Sequence, residues 1–231
     1  RRQADAPDYL LNYFPGQKPE LEAAALANVM ERRYGRQIDR KKNYHDLIVE
    51  SVEASLERLG TDHVDVLHCP HGANTPQELA NFPEIFEAFE KLKKAGKARH
   101  LGVSSHTDPA GVLEAAVAAK VYSLAMIAYN ICNHHYLDPA LERARKADLG
   151  VIAMKVARPV WNGRGRGQPD DPARQALIQK AVPGDLKIPQ KAYVWALRNP
   201  AVAAVNSELI NAELVRDNLP QRVFRRAEIT R

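Results

Sequence analysis

The chain has 231 residues, 45% of them hydrophobic and 26% charged, and carries a formal net charge of +5, which fits an ordinary globular protein of one large domain or two small ones. Its two cysteines, Cys69 and Cys132, are too few for a four-cysteine zinc or iron–sulfur site, exclude a disulfide scaffold, and are read as thiols of a reduced, cytoplasmic protein. No run of about 18 apolar residues occurs, so no helix is expected to span a bilayer.

Arg1-Arg2 opens the chain without an apolar segment behind it, so no export signal is read there. From Tyr44 to Arg58, Leu47, Ile48, Val52 and Leu56 recur at helical spacing, with Leu59 continuing the series. Gly60 supplies the stop. Val64 to His68 (VDVLH) favours a strand, which Pro70 and Gly72 terminate. A helix is predicted over Pro76 to Lys94, with Leu79, Phe82, Ile85, Phe86, Phe89 and Leu92 on its apolar face and Gly96 at its end. The short strand ARHLGVS leads to Asp108, a good N-cap for a helix through Ala119.

Tyr122 to Ala128 reads as a buried strand, Asp138 to Lys146 as a helix, and Leu149 to Lys155 as another strand. Residues 157 to 186 are rich in Gly, Pro, Arg and Asp and are read as a long loop or lid. Helix, strand and helix follow over Ile188 to Arg198, Ala201 to Val205, and Asn211 to Leu219, with Asn211 as the last cap.

Five strand–helix units in series, with nearly all-apolar strands, imply an α/β protein whose parallel sheet is covered by helices. An open dinucleotide-binding sheet should carry a G-x-G-x-x-G turn after a strand. The nearest thing to it, GRGRG from Gly163, lies in the long loop. A closed (β/α)8 TIM barrel is therefore favoured, and catalysis in such barrels occurs where strands end at their C-termini. His68, Ser104-Ser105, Tyr129-Asn130, Lys155 and Asn206-Ser207 all fall at predicted strand ends.

SVEASLERLGTDHVDVLHCP, KARHLGVSSHT, AYNICNHHYLDPAL, GVIAMK and WALRNPAVAAVNSELINAELVRDNL occur in that order over residues 44 to 220. This series resembles the aldo-keto reductase superfamily. The GVSSH and IAMK versions are closer to a bacterial branch that often carries an iron–sulfur extension, whose cysteines do not occur in this sequence. The resemblance implies one barrel domain across residues 1–231 that reduces an aldehyde or ketone, or runs the reverse reaction, with a nicotinamide cofactor. It also implies a catalytic Asp, Tyr, Lys and His. Hydride addition to a carbonyl needs an acidified phenol to protonate the oxygen and a donor to hold the developing alkoxide.

By this resemblance His68 takes the histidine position, donating a hydrogen bond to the substrate oxygen. Asp8 and Tyr13, followed by Gly16 and Glu20, fit the spacing of the Asp and Tyr positions; Asp5 with Tyr9 is a competing registration. Tyr34 lacks the preceding Asp. No hydrophobic run delivers a lysine, and Lys41, at roughly the right distance, sits in an exposed basic stretch. The first and third strands of a barrel are not found, and the reading preferred is that segments are omitted around Asp39–Arg40.

On the cofactor side, Ser104 and Ser105 match the pair that holds the nicotinamide carboxamide. Met126 falls at the glutamine position and Met154 at that of the stacking aromatic, while Lys155 is directed at the pyrophosphate. Glu208 and Leu214 stand where NADPH-binding members are often basic, with Arg216 nearby; Asn211 would meet the phosphate at a helix N-terminus, and Asn218 the adenine. NADPH is the implied cofactor and NADH the alternative. No metal ligand set and no membrane or nucleic-acid partner is expected, and the oligomeric state is not indicated. A nucleic-acid-binding module would rest only on a pI near 9.2 and the basic stretch from Arg158 to Arg166. A non-catalytic or regulatory barrel that keeps the cofactor groove is the second reading, motivated by the unmatched Lys, Gln and aromatic positions. Trp161 and Arg164 of the long loop are expected to wall the pocket for a small carbonyl substrate.

Overall fold

The structure is a computed structural model and describes residues 33, 35–37, 39–68, 75–79, 83–161, 171–207 and 212–218. A 3₁₀ turn at Gly35–Gln37 leads to Asp39, whose carboxylate accepts from the Lys42 N–H at 2.9 Å and caps helix α1, Arg40–Leu59. The helix thus begins four residues earlier than its apolar spacing suggests, because the cap and not the first leucine sets its start. Ile48, Val52 and Leu56 are buried, whereas Leu47 and Leu59 are more than half exposed and do not belong to the apolar face expected for them. Gly60, at φ +65°, closes the helix in the left-handed conformation that glycine adopts without strain.

Strand β1 (Val64–His68) follows, then a 3₁₀ turn at Pro76–Leu79 and helix α2 (Pro83–Lys94). The single helix expected over this segment is therefore two elements. Pro83 opens α2, where its missing N–H costs nothing; inside a longer helix its ring would clash with the carbonyl four residues before. Then come β2 (Ala98–Ser105), α3 (Pro109–Ala119, capped by Asp108), β3 (Tyr122–Ala128), α4 (His134–Lys146) and β4 (Gly150–Met154). Helix α4 starts ahead of Pro139, which the sequence pattern places in its first turn. The Asn133 side chain joins the preceding turn to the end of β3, accepting from the Asn130 N–H at 2.8 Å and donating to the Ala128 carbonyl at 3.0 Å.

The segment read as one long loop contains helix α5, Pro172–Ala181. Asp171 caps it, accepting from the Ala173 and Arg174 N–H groups, and Ile178 is fully buried. With Ile178 its one buried side chain, the helix offers almost no apolar stripe for periodicity to detect. Helix α6 (Ile188–Leu197), the two-residue β5 (Ala204–Val205) and α7 (Ala212–Asn218) complete the described elements. Between α5 and α6 the ammonium of Lys191, only 5% exposed, donates to the carbonyls of Val182 and Gly184 at 2.6 and 2.5 Å.

The strands form one five-stranded sheet in the order β1-β2-β3-β4-β5, and every pair is parallel. Right-handed crossovers in strictly sequential order place the connecting helices on one face of the sheet. A doubly wound sheet reverses its order partway and covers both faces; a (β/α)8 barrel does not. The five units are consecutive units of such a barrel. Leu101, Val103, Ala125, Ile127, Val151 and Ala153 point into the helix layer, where all six are 0% exposed and meet Phe89, Leu113, Leu137 and Leu141. Strand alternation sends Val66, His68, Gly102, Ser104, Met126 and Ile152 to the opposite face, which in a barrel is the interior. Among the described residues no helix is long and apolar enough to cross a membrane.

Candidate functional site

His68 is the last residue of β1 and pairs in register with Gly102 of β2. The imidazole is half-buried, and burial holds its pKa below the ordinary histidine value of 6.5. Its Nδ1 is enclosed and has no hydrogen-bond partner among the described residues. Ser104 lies on the same face of the sheet, one pleat further along β2 than Gly102. Ser105 is turned the other way: it is 2% exposed within the helix layer, and its hydroxyl has no partner among the described residues. The two serines read as an adjacent pair are thus separated by the pleat, since successive strand residues face opposite sides.

Lys155 directly follows β4 in the left-handed region at φ +56°, unusual for a residue with a Cβ. Burial, followed by the Arg158 charge, lowers its pKa. His106, just past β2, is lowered in the same direction by burial, then by Lys155 and Arg158. The ends of β2 and β4 therefore bring His106, Lys155 and Arg158 within electrostatic reach of one another. His106 is the last residue of GVSSH, a stretch that carries the family resemblance without assigning this residue a role. Across β3, the Asn206 amide donates to the Met126 sulfur at 3.3 Å, and the Asn206 N–H bonds the Ala153 carbonyl at 2.8 Å. Met126, at the expected glutamine position, thus has a polar amide beside it. Met154, at the position of the expected aromatic, is 8% exposed.

Not every polar group at a strand end turns to this face. Tyr129, immediately after β3, sends its ring into the helix layer, where it stacks on Trp195 with centroids 5.2 Å apart. Its hydroxyl donates to Asp138 at 2.9 Å and accepts from the Asn199 amide at 2.9 Å. His134 Nδ1 stands 3.0 Å from the second Asp138 oxygen. These residues line a cleft of about 600 Å³ between α4 and α6. Burial raises the Tyr129 pKa above the usual phenol value, with the neighbouring Asp138 acting in the same direction. Its hydroxyl is thus engaged within the helix layer and not at the edge that carries His68.

Asn218 ends α7, and its amide donates to the Leu214 carbonyl at 2.9 Å. Helix α7 is held to α6 by Lys187, which pairs with Asp217 at 2.6 Å, and by the Gln190 amide, which donates to the Asp217 carbonyl. Lys41 lies in the first turn of α1 and is exposed, so it stands on a helix and not at the end of a strand. Trp161 is half-buried. Asp8 and Tyr13, the competing Asp5 and Tyr9, Tyr34, Arg164, Glu208 and Asn211 lie outside the described residues.

The sequence pattern described as "Aldo/keto reductase family" matches residues 35–225. Oxidoreductase YdhF of Escherichia coli K12 is 32% identical over 167 residues, which is 68% of this chain and 51% of that protein. Methylglyoxal reductase DkgB of Escherichia coli O157:H7 is 34% identical over 76 residues, 32% of this chain and 26% of the relative. The apo form of aldo-keto reductase AKR11C1 from Bacillus halodurans superposes with a TM-score of 0.58 at 22% identity, covering 80% of this chain and 68% of the other. The chain spans about half the length of YdhF, and the structural likeness bears on the fold alone. The family pattern covers most of the described strands and helices, including the edge that carries His68, and this chain belongs to the Aldo/keto reductase family.

Proposed function

We propose that this barrel is an NAD(P)H-dependent reductase of small aldehydes or ketones, working in either direction, within one domain. The observation that carries the reading is His68. It is a half-buried imidazole, its pKa lowered by burial, at the C-terminal end of a barrel strand, where this fold places its chemistry. The residues fit a nicotinamide dinucleotide, because Lys155 and Arg158 gather positive charge at the adjacent strand ends and an anionic pyrophosphate is attracted there. Lys155 would hold the pyrophosphate, Ser104 the carboxamide without the buried Ser105, and Asn211 and Asn218 the adenosine end. NADPH is the preferred form and NADH the alternative.

When bound, the reduced cofactor supplies a hydride. The chain's own residues do the rest. His68 holds the carbonyl oxygen by donating a hydrogen bond from an uncharged ring, so the substrate is polarised without a competing proton. Tyr13, oriented with Asp8, gives the oxygen its proton. The substrate class follows the methylglyoxal reductase relative in kind, a small carbonyl compound. The test is reduction of methylglyoxal with NADPH by the unaltered chain, by His68→Ala and by Tyr13→Phe. Loss of about 10² to 10⁴ in rate is expected for each variant, and full activity in both would refute the assignment.

A second reading has one observation in its favour. The glutamine position is occupied by Met126, which does not hydrogen-bond a carboxamide well, and the position of the stacking aromatic by Met154, a softer platform for a flat ring. On that reading the barrel binds the cofactor without turning it over. Cofactor quenching of Trp fluorescence with no aldehyde reduction would select it.

A further inference from the structure

One neighbour of His68 leaves it space by having no side chain. Gly102 pairs with His68 across β1 and β2, and a Cβ placed on Gly102 would lie 2.9 Å from both Nδ1 and Cε1 of the imidazole and 3.1 Å from Val66 Cγ1. Gly102 is not in a conformation reserved for glycine, since the described glycines at positive φ are Gly60, Gly96 and Gly184. Its missing side chain is needed for space rather than for backbone freedom. The ring edge formed by Nδ1 and Cε1 rests in that space.

We infer that Gly102 is a positioning residue. The gap at its Cα seats the His68 imidazole with Nδ1 enclosed against β2, and so assigns the proton to Nε2 and directs that N–H toward the substrate oxygen. The inference rests on the reading of His68 as the carbonyl donor and adds what sets its orientation and tautomer. A neutral imidazole has one N–H and one bare nitrogen. Nδ1 is buried with no hydrogen-bond partner among the described residues, and a buried orphan N–H is rarer than a buried orphan acceptor. The bare nitrogen therefore belongs at Nδ1. The desolvation that lowers the His68 pKa is consistent with a ring kept neutral in this seat. A methyl group at position 102 would push the ring edge outward and swing Nε2 away from its line, while an alanine backbone at that point of the strand is unstrained.

Two measurements test this on the intact chain. Long-range ¹H–¹⁵N spectra of labelled protein near pH 7.5 read the His68 tautomer directly, assigned by its loss in His68→Ala. The proton is expected on Nε2 in the unaltered chain, with the ring resonances displaced in Gly102→Ala. Methylglyoxal reduction is then compared across the unaltered chain, Gly102→Ala and His68→Ala. Gly102→Ala is expected to lose about 10² in kcat with KM changed less than threefold, the size expected when a reacting group is misplaced by about 1 Å. An Nδ1–H tautomer in the unaltered chain overturns the inference, and that spectrum decides the matter even if Gly102→Ala does not fold. Unchanged kcat in Gly102→Ala alongside an inactive His68→Ala overturns it too, and leaves the reductase reading standing. An active His68→Ala removes the reductase reading and, with it, the catalytic purpose of the seat.

Discussion

Two histidine-containing polar groups sit on opposite faces of the same sheet, and they differ in how completely their hydrogen bonds are made. In the helix layer, Tyr129, Asp138, His134 and Asn199 satisfy one another within 3.3 Å. On the barrel-interior face, His68 Nδ1 has no partner among the described residues, and just past the strand ends Lys155 and Arg158 repel each other. A closed network of bonds stiffens a fold, because each member's desolvation is compensated. An unclosed set of donors and like charges is costly to the free protein and is repaid when a ligand completes it. The contrast separates a group that serves stability from one that serves binding, even though both lie just beyond strand ends.

The largest effect that would sharpen this contrast is on rate. His68→Ala is expected to reduce turnover by about 10² to 10⁴ while leaving the urea midpoint nearly unchanged, as steady-state kinetics and denaturant melts will show. Tyr129→Phe should do the reverse. Removing the hydroxyl strands Asp138 and Asn199, at a cost of about 1–3 kcal/mol in unfolding free energy, with kcat unaltered. A kinetic defect in Tyr129→Phe at full stability would break the distinction between the two faces. Lys155→Ala should weaken NADPH binding about tenfold, the loss of one partly screened charge contact worth roughly 1.4 kcal/mol, measured by fluorescence titration.

The smallest effects are in pH dependence, and they have opposite signs. His68 is held below its ordinary value of 6.5, so the unfolded chain binds the proton first. The stability from its neutral state is full above pH 6.5 and is lost as pH falls from there through the depressed folded value. Tyr129 is held above its ordinary value of 10.0, so its contribution is full below pH 10 and is lost as pH rises beyond it. Replacing His68 by Gln should flatten only the acid limb of a stability–pH curve, and Tyr129→Phe only the alkaline limb. Altered slopes on the wrong limb would show that the two groups are not independent.

Much of this was legible in the residues. VDVLH and YSLAMIA are read as strands with the bounds they have in the structure, because short, largely apolar runs set between helices have few alternatives. Asp108 and Gly60 mark helix ends because their side-chain and backbone requirements are local. Helix α5 was not legible: it packs chiefly through Ile178 and is announced by Asp171 and not by a stripe. Nor was the separation of Ser104 from Ser105 drawn, though strand parity alone places adjacent residues on opposite faces. His106 closes the GVSSH motif, but the motif alone does not tell that its ring meets Lys155 and Arg158.

What the sequence determined by itself is the alternation of parallel strands and helices, and the delivery of His68, Ser104 and Lys155 to strand ends, because those follow from hydrophobic periodicity and turn chemistry within a few residues. Only the tertiary structure decided that Tyr129 turns away from that edge, that Lys155, Arg158 and His106 meet, and that Gly102 yields its space to the His68 ring. Each of these depends on register between strands distant in the chain, and register is set by packing of the whole sheet against its helices and not by any local pattern.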